Sequence, residues 1–447
     1  MQITISERCF KKLQIEPVEQ IPVRAGMITI YSQLSVRRDQ NQPFKLSPAL
    51  AKALHVKGDS HMQIRYDHKN NLLQIGPFIG ILVNALPLKS EYDPTSLKAE
   101  LIFLSNVGMK MAAEVYIFTP GGIDWETNTT LGYVYKKVTN HNGIWAESRY
   151  PLPDVVYDRI PSRALEAREN IKATRRKLMK SEDIKYFNPS YLNKWKVHVL
   201  LSENKELHPY LPETKQLDLD TLTEMLGRHK VVYIKPSNGS QGLGIIKAWQ
   251  NKATGFINAI GGSTRAHFEA DNPAELLKKT ESIIKNRPYI VQKGINLMKY
   301  QNSNFDIRII YQKDGQGQWT ISKKFVRIAA PGSSISNLSR GGRIERSVVV
   351  LKQLFKFDQK LIEEKNLEMR KLCEMIAFTL ESASESTFGE LGLDIGIDKT
   401  GHLWLIEVNS KPRKTTQTKM SQKIVYNTFS RPLEYAAYLA GFGHKTN

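Results

Sequence analysis

The stretch Leu391-Gly392-Leu393-Asp394-Ile395-Gly396-Ile397-Asp398-Lys399-Thr400-Gly401-His402-Leu403-Trp404-Leu405-Ile406-Glu407-Val408-Asn409 reads as two apolar strands around a turn at Thr400-Gly401. Side chains alternate along a strand, so Glu407 and Asn409 share one face. With the turn centred there, Asp394 falls opposite Glu407, and two carboxylates and an amide oxygen converge. Acidic groups set in apolar strands need partners. An oxygen-only set of this kind suits Mg2+, which keeps sites for water and phosphate. Asp398 fits the turn rather than the ligand set. The competing reading, carboxylates that face solvent from an apolar hairpin, gives no reason for their apolar neighbours.

Upstream, Val231-Val232-Tyr233-Ile234-Lys235-Pro236-Ser237-Asn238-Gly239-Ser240-Gln241-Gly242-Leu243-Gly244-Ile245-Ile246-Lys247 is a strand, a glycine-bearing loop and a second strand. Without a β-carbon at Gly239, Gly242 and Gly244, backbone amides can approach phosphate oxygens, and Lys235 at the strand end supplies positive charge. A Walker A loop needs Gly-Lys-Ser/Thr before a helix, and a dinucleotide fingerprint must also open a helix; this loop opens a strand. Taken alone it is equally an ordinary hairpin. Between the two motifs, Phe305-Asp306-Ile307-Arg308 puts Asp306 and Arg308 on one strand face. Arg308 can reach a phosphate, oriented by Asp306 or another carboxylate, although a plain ion pair has the same pattern. Arg327 on the next strand, and Asn337 and Arg340 in Ser336-Asn337-Leu338-Ser339-Arg340-Gly341-Gly342, add donors for phosphate oxygens. Tyr289-Ile290-Val291-Gln292-Lys293-Gly294-Ile295 is an apolar strand whose end offers the Gln292 amide and backbone groups to an adenine edge.

Around these motifs the chain has no repeat and no low-complexity linker, so changes of pattern set the boundaries. Residues 1–76 read as a small β domain, with runs at Met62 to Tyr66 and Asn71 to Ile75 flanking the turn Asp67-His68-Lys69-Asn70. Residues 77–190 read as an α/β layer. It has strand Ile79 to Val83, helix Ser96 to Lys110, strand Ala113 to Phe118 ended by Thr119-Pro120-Gly121-Gly122, and strand Pro153 to Arg159 leading into a basic helix from Arg163 to Lys185. From 191 to 447, helices interleave with strands that look like hairpins, which predicts an α+β lobe with antiparallel sheet rather than a doubly wound fold.

At 447 residues and 41% hydrophobic content the chain builds packed cores, which excludes a disordered or fibrous protein. Met1 to Leu13 has no signal-peptide run, and the apolar segment Ile75 to Leu86 is broken by Gly and Pro, so a soluble intracellular protein is expected. Cys9 and Cys373, far apart and unclustered, suggest neither disulfide nor zinc site. Sixty-four Lys plus Arg against forty-four Asp plus Glu give a net charge of +20, a field for an anionic partner. No zinc-finger spacing or RNP-like motif accompanies it, so a nucleic-acid role rests on charge alone.

The order of these parts resembles the ATP-grasp superfamily over about Tyr191 to Pro412. The whole chain, including Pro151-Leu152-Pro153-Asp154-Val155-Val156-Tyr157 and Gly76-Pro77-Phe78-Ile79-Gly80-Ile81-Leu82, resembles the YheC/YheD-type proteins associated with bacterial endospore coats. The resemblance implies two β-rich lobes clasping ATP, preceded by a pre-ATP-grasp domain. It implies that Lys235, Lys194 and the loop with Ser237, Gly239, Ser240, Gln241, Gly242 and Gly244 contact the nucleotide, while Gln292 and the backbone at Lys293 to Ile295 read adenine. Asp394, Glu407 and Asn409 would hold Mg2+, or Mn2+, and Arg308, Arg327, Asn337 and Arg340 would steady the transferred phosphoryl group. The implied activity is a ligase that converts a carboxylate to an acyl phosphate for attack by an amine. The alternative is a non-catalytic nucleotide-binding component of a spore coat. Where many relatives continue with small residues and a glycine, this chain has Ser410-Lys411-Pro412-Arg413, and the two added positive charges fit either an acidic substrate or an altered turnover.

Overall fold

The computed structural model describes residues 1–447 apart from 39–41, 58–61, 89–92, 139–142, 240–241, 252–253, 262–265, 331–340, 417–420 and 444–447. Four β-sheets follow one another along the chain. The first joins Gln2–Ser6, Gln20–Ala25, Ile28–Arg37, Phe44–Leu46, Gln63–Asp67 and Leu72–Gly76. Its last hairpin forms as expected: Asp67 Oδ1 accepts from the amides of Lys69 and Asn70, and Asn71 closes the turn at φ +48°. Helices Glu7–Leu13 and Pro48–Ala53 also belong to this region. Each is too short for apolar periodicity to reveal it.

The second sheet centres on Phe78–Leu82, buried throughout, with parallel partners Glu114–Asp124 and Val155–Asp158. A strand covered on both faces reads as a continuous apolar run, as this one does. Ser96 caps helix Leu97–Gly108, its Oγ accepting from the Ala99 amide at 3.1 Å. Two expectations are corrected here. Thr119-Pro120-Gly121-Gly122 does not end its strand: Glu114–Asp124 passes through it with a register break between Phe118 and Ile123, because Thr129–Lys137 pairs on both sides of the break. The basic helix is two, Arg163–Glu166 and Glu169–Lys180, and Arg175 of the second turns inward.

The third and fourth sheets are antiparallel throughout, as the hairpin pattern predicts. The third runs Thr214–Gln216, Tyr289–Lys293, Val232–Pro236, Ile246–Gln250, Ile257–Gly261, Ala266–Ala270 from edge to edge. The fourth runs Arg343–Arg346, Trp319–Ile328, Ser303–Lys313, Glu390–Ile397, Leu403–Asn409. One face of the fourth sheet, with Ile307, Ile309, Val326, Leu393 and Ile395, packs on Met369, Leu372 and Ile376 of helix Gln359–Ser384. The other face is left for polar groups. Helix Gln422–Leu439 returns to the second sheet, where Val425, Phe429 and Leu433 join Ile79, Ile81 and Val155 in one core. Among the described residues, no helix is long and apolar enough to cross a membrane.

Candidate functional site

A cleft opens between the third and fourth sheets. Helix Lys194–Ser202 supplies one wall: Lys194, Val197, His198 and Leu201 fall at i, i+3, i+4 and i+7, one face of a helix. Leu211, Thr214, Ile290 and Gln292 line the third-sheet side, and Leu405, Ile406 and Glu407 the fourth-sheet side. The cleft is apolar along its length and charged at one end, where Lys194, Lys235 and Glu407 meet. His198, Leu211, Thr214, Ile290 and Ile406 were not foreseen as site residues. The helical spacing from Lys194 was the one signal that could have found His198.

At the charged end, Lys235 Nζ donates to Gln292 Oε1 at 2.6 Å, and Gln292 Nε2 donates to Thr214 Oγ1 at 2.9 Å. The cross-strand register Tyr233↔Gln292 and Thr214↔Gln292 brings these groups together. Both ends of the Gln292 amide are therefore engaged inside the cleft. Burial lowers the Lys235 pKa to about 8, with the Glu407 charge opposing the shift and Lys194 adding to it. Lys194 Nζ lies 3.1 Å from Glu407 Oε1 and donates to the Gly239 carbonyl at 2.6 Å. One lysine thus ties the glycine loop to strand Leu403–Asn409. The Lys194 amide also donates to the Ser237 carbonyl at 2.9 Å.

The loop needs its glycines in two places. A Cβ at Gly239 would stand 2.4 Å from Pro236 Cγ, and Gly244 has φ +74° with Tyr289 Oη 2.7 Å from where its Cβ would lie. Gly242 also has positive φ, +68°. Ser240, Gln241, Asn337 and Arg340 lie outside the described residues. Lys293 and Ile295 are not cleft-lining; the Lys293 amide donates to the Glu213 carbonyl at 2.9 Å, and the Ile295 carbonyl accepts from Leu297.

The carboxylates sit in the fourth sheet. Asp394 and Glu407 are cross-strand partners, and Gly392 pairs with Asn409. Arg308, in register with Asp394, grips it through Nε and also through Nη2 at 2.9 Å. Arg327 Nη2 reaches the same carboxylate at 2.8 Å, while its Nε donates to Asp306 Oδ1 at 2.7 Å. So Asp394 orients Arg308, and Asp306 orients Arg327. Burial pushes the Asp394 carboxyl up, but Arg308 and Arg327 hold it below the ordinary carboxylate value. Asp306, buried beside the Asp394 charge, is raised to about 7. Asp398 is a turn residue, accepting from Thr400, His402 and the Trp404 indole.

Among the described residues no group of three His, Cys, Asp or Glu is placed to hold a metal ion by itself. Asp394, Glu407 and Asn409 nevertheless supply oxygen donors of the kind Mg2+ takes. Asp306, Asp394 and Glu407 face Arg308, Arg327, Lys194 and Lys235. Cations outnumber carboxylates, so the set fits a metal that arrives with phosphate anions better than a bare divalent ion.

Lys411 takes no part in the cleft, which corrects the expectation that it faces substrate. Its Nζ lies 2.7 Å from both Asp158 and Glu166 and is buried. Arg175 shares these acids at 2.6 and 2.8 Å. Beside them, Glu390 meets Lys414 at 2.8 Å and Arg159 at 2.9 Å, and Arg159 reaches Glu100 at 2.5 Å. Only Arg413 of the added charges is exposed. The cluster locks residues 410–414 to the second sheet directly after Asn409.

Two antiparallel sheets enclosing an apolar cleft with cations and paired carboxylates at one end define an ATP-grasp protein. The chain belongs to the YheC/D like ATP-grasp family, matched over residues 183–439. It is similar to the endospore coat-associated protein YheD of Bacillus subtilis (strain 168), 29% identical over 426 residues that cover 93% of this chain and 90% of the relative. The endospore coat-associated protein YheC of the same organism is 23% identical over 323 residues, covering 72% of this chain and 87% of the relative. Among solved structures, D-alanyl-alanine synthetase A from Vibrio cholerae O1 is 14% identical at a TM-score of 0.45, covering 82% of this chain and 98% of that one.

Proposed function

We propose that the chain is a Mg-ATP-dependent ligase. A substrate carboxylate oxygen attacks the γ-phosphorus of ATP and ADP leaves; an amine then attacks the resulting acyl phosphate, expelling phosphate and forming an amide. The observation that carries this reading is the meeting of Lys194, Lys235 and Glu407 at one end of an apolar cleft, with Glu407 the cross-strand partner of Asp394, which Arg308 and Arg327 grip. The apolar length suits adenine, and the charged end suits phosphates. Phosphoryl transfer asks chiefly for positioning and charge stabilisation, which such groups provide. Lys235 and Lys194 hold the phosphates, Arg308 and Arg327 face the transferred group, and Asp394, Glu407 and Asn409 hold Mg2+. The metal, when bound, neutralises charge between the phosphate oxygens.

A second reading is supported by the names of the two relatives: a nucleotide-binding component of an endospore coat without turnover. Release of ADP and phosphate from Mg-ATP, screened against pooled amino acids, short peptides and cell-wall fragments, separates the two. Carboxylate-dependent release that disappears in Lys235→Ala supports the ligase. Tight Mg-ATP binding without release from any pool supports the coat component instead.

A further inference from the structure

The polar face of the fourth sheet continues past its arginines. On Trp319–Ile328, Arg327, Phe325 and Lys323 share that face by alternation, opposite Asp306, Arg308 and Ile310. Lys324 and Val326 point the other way, Lys324 Nζ to Asn366 on helix Gln359–Ser384 and Val326 into the core beneath. Ser322 is the extra residue of a bulge, and its Oγ accepts from Arg431 Nη1 at 2.7 Å. Gln312 Nε2 donates to the Thr428 carbonyl at 2.9 Å. Lys323 is therefore held between the arginines of the phosphate end and helix Gln422–Leu439.

Five Lys or Arg residues are buried among those described: Arg159, Arg175, Lys323, Lys411 and Lys414. Four of them meet acids, as set out above. Lys323, 7% exposed, meets none among the described residues; its Nζ lies 5.1 Å from the Phe325 ring centre. At 7% exposure its side chain is nearly but not wholly enclosed. Burial lowers its pKa with no carboxylate opposing. An ammonium out of water without a counter-charge is unfavourable, and an anionic ligand group removes that cost.

We propose that Lys323 is a specificity-determining residue that receives a second carboxylate of the substrate, an acidic amino acid or short acidic peptide. This rests on the ligase reading. Lys323 lies four positions before Arg327, roughly 13 Å along the strand, which a dicarboxylic amino acid or short acidic peptide bridges once both side chains reach toward it.

The test is trace acetylation of the full-length protein at pH 7.5 with Mg-ADP, read lysine by lysine by mass spectrometry. Glu-Glu and Asp-Glu dipeptides should lower Lys323 labelling at least fivefold, and Ala-Ala should not. Equal labelling with and without the acidic dipeptides, or equal protection by Ala-Ala, overturns the assignment. Protection of Lys235 by Mg-ADP is read in the same samples: its absence would count against the nucleotide reading and not against Lys323. Lys323→Met should also abolish the thermal shift caused by the acidic dipeptides, while Lys323→Arg retains part of it. A full shift in Lys323→Met contradicts the proposal independently of labelling.

Discussion

Two groups of charge lie on the same face of the fourth sheet, and they are built differently. In the sealed cluster, Glu100, Asp158, Glu166 and Glu390 balance Arg159, Arg175, Lys411 and Lys414, acid for base. At the charged end of the cleft and in the sheet beside it, Asp306, Asp394 and Glu407 face four cations, and Glu407 and Lys194 remain partly exposed. Residue types are shared between them. Balance and access separate a sealed, neutral cluster from one left with spare positive charge.

The sharpest way to break the comparison is to remove one partner from each. Glu390→Leu strands Lys414 in the interior and leaves Arg159 with Glu100 alone, and chemical denaturation should show a loss of about 3–5 kcal/mol. Lys235→Ala should instead leave stability within about 1 kcal/mol, yet weaken Mg-ATP binding by ~10–100-fold, the worth of one charge-assisted hydrogen bond. If the two variants exchanged these phenotypes, the division between lock and cleft would be wrong.

The pH dependence sharpens the same contrast. In the free protein the Lys235 pKa is about 8, and a bound phosphate raises it by favouring the ammonium. Mg-ATP affinity should therefore be level below pH 8. Above it, affinity should fall by up to about tenfold per unit until the pKa of the complex is reached. Calorimetric titrations between pH 6.5 and 9.5 would check this, and Lys235→Ala should flatten the profile. The smallest effect is expected at Gly244. Its positive φ and the nearby Tyr289 hydroxyl should make Gly244→Ala cost about 1 kcal/mol in thermal or denaturant unfolding.

The cleft was more legible in the sequence than the lock because its parts are local. A turn at Thr400-Gly401 is enough to set Asp394 against Glu407. Near the turn, however, Ile397 pairs with Leu403 and Ile395 with Leu405; an irregularity between Asp394 and Ile395 restores the expected partner. Arg308 was placed on the correct face by alternation, but its carboxylate partner lies 86 residues away. The lock was opaque for the same reason in stronger form. Lys411 meets Asp158 across 253 residues, and nothing near Lys411 distinguishes a buried lysine from one waiting for substrate. Tertiary pairing moves the acidic-substrate reading off Lys411, and Lys323 stands out only once the other four buried cations among the described residues are matched with their acids.

The most direct test of the central claim is calorimetric titration of the intact protein with Mg-ATP, with Mg2+ alone and with ATP in chelator. A cleft with more cations than carboxylates should bind Mg-ATP tightly and ATP more weakly, and should show no heat of binding with Mg2+ alone. Binding of Mg2+ without nucleotide, or Mg-ATP binding unchanged by Lys235→Ala, would contradict the account.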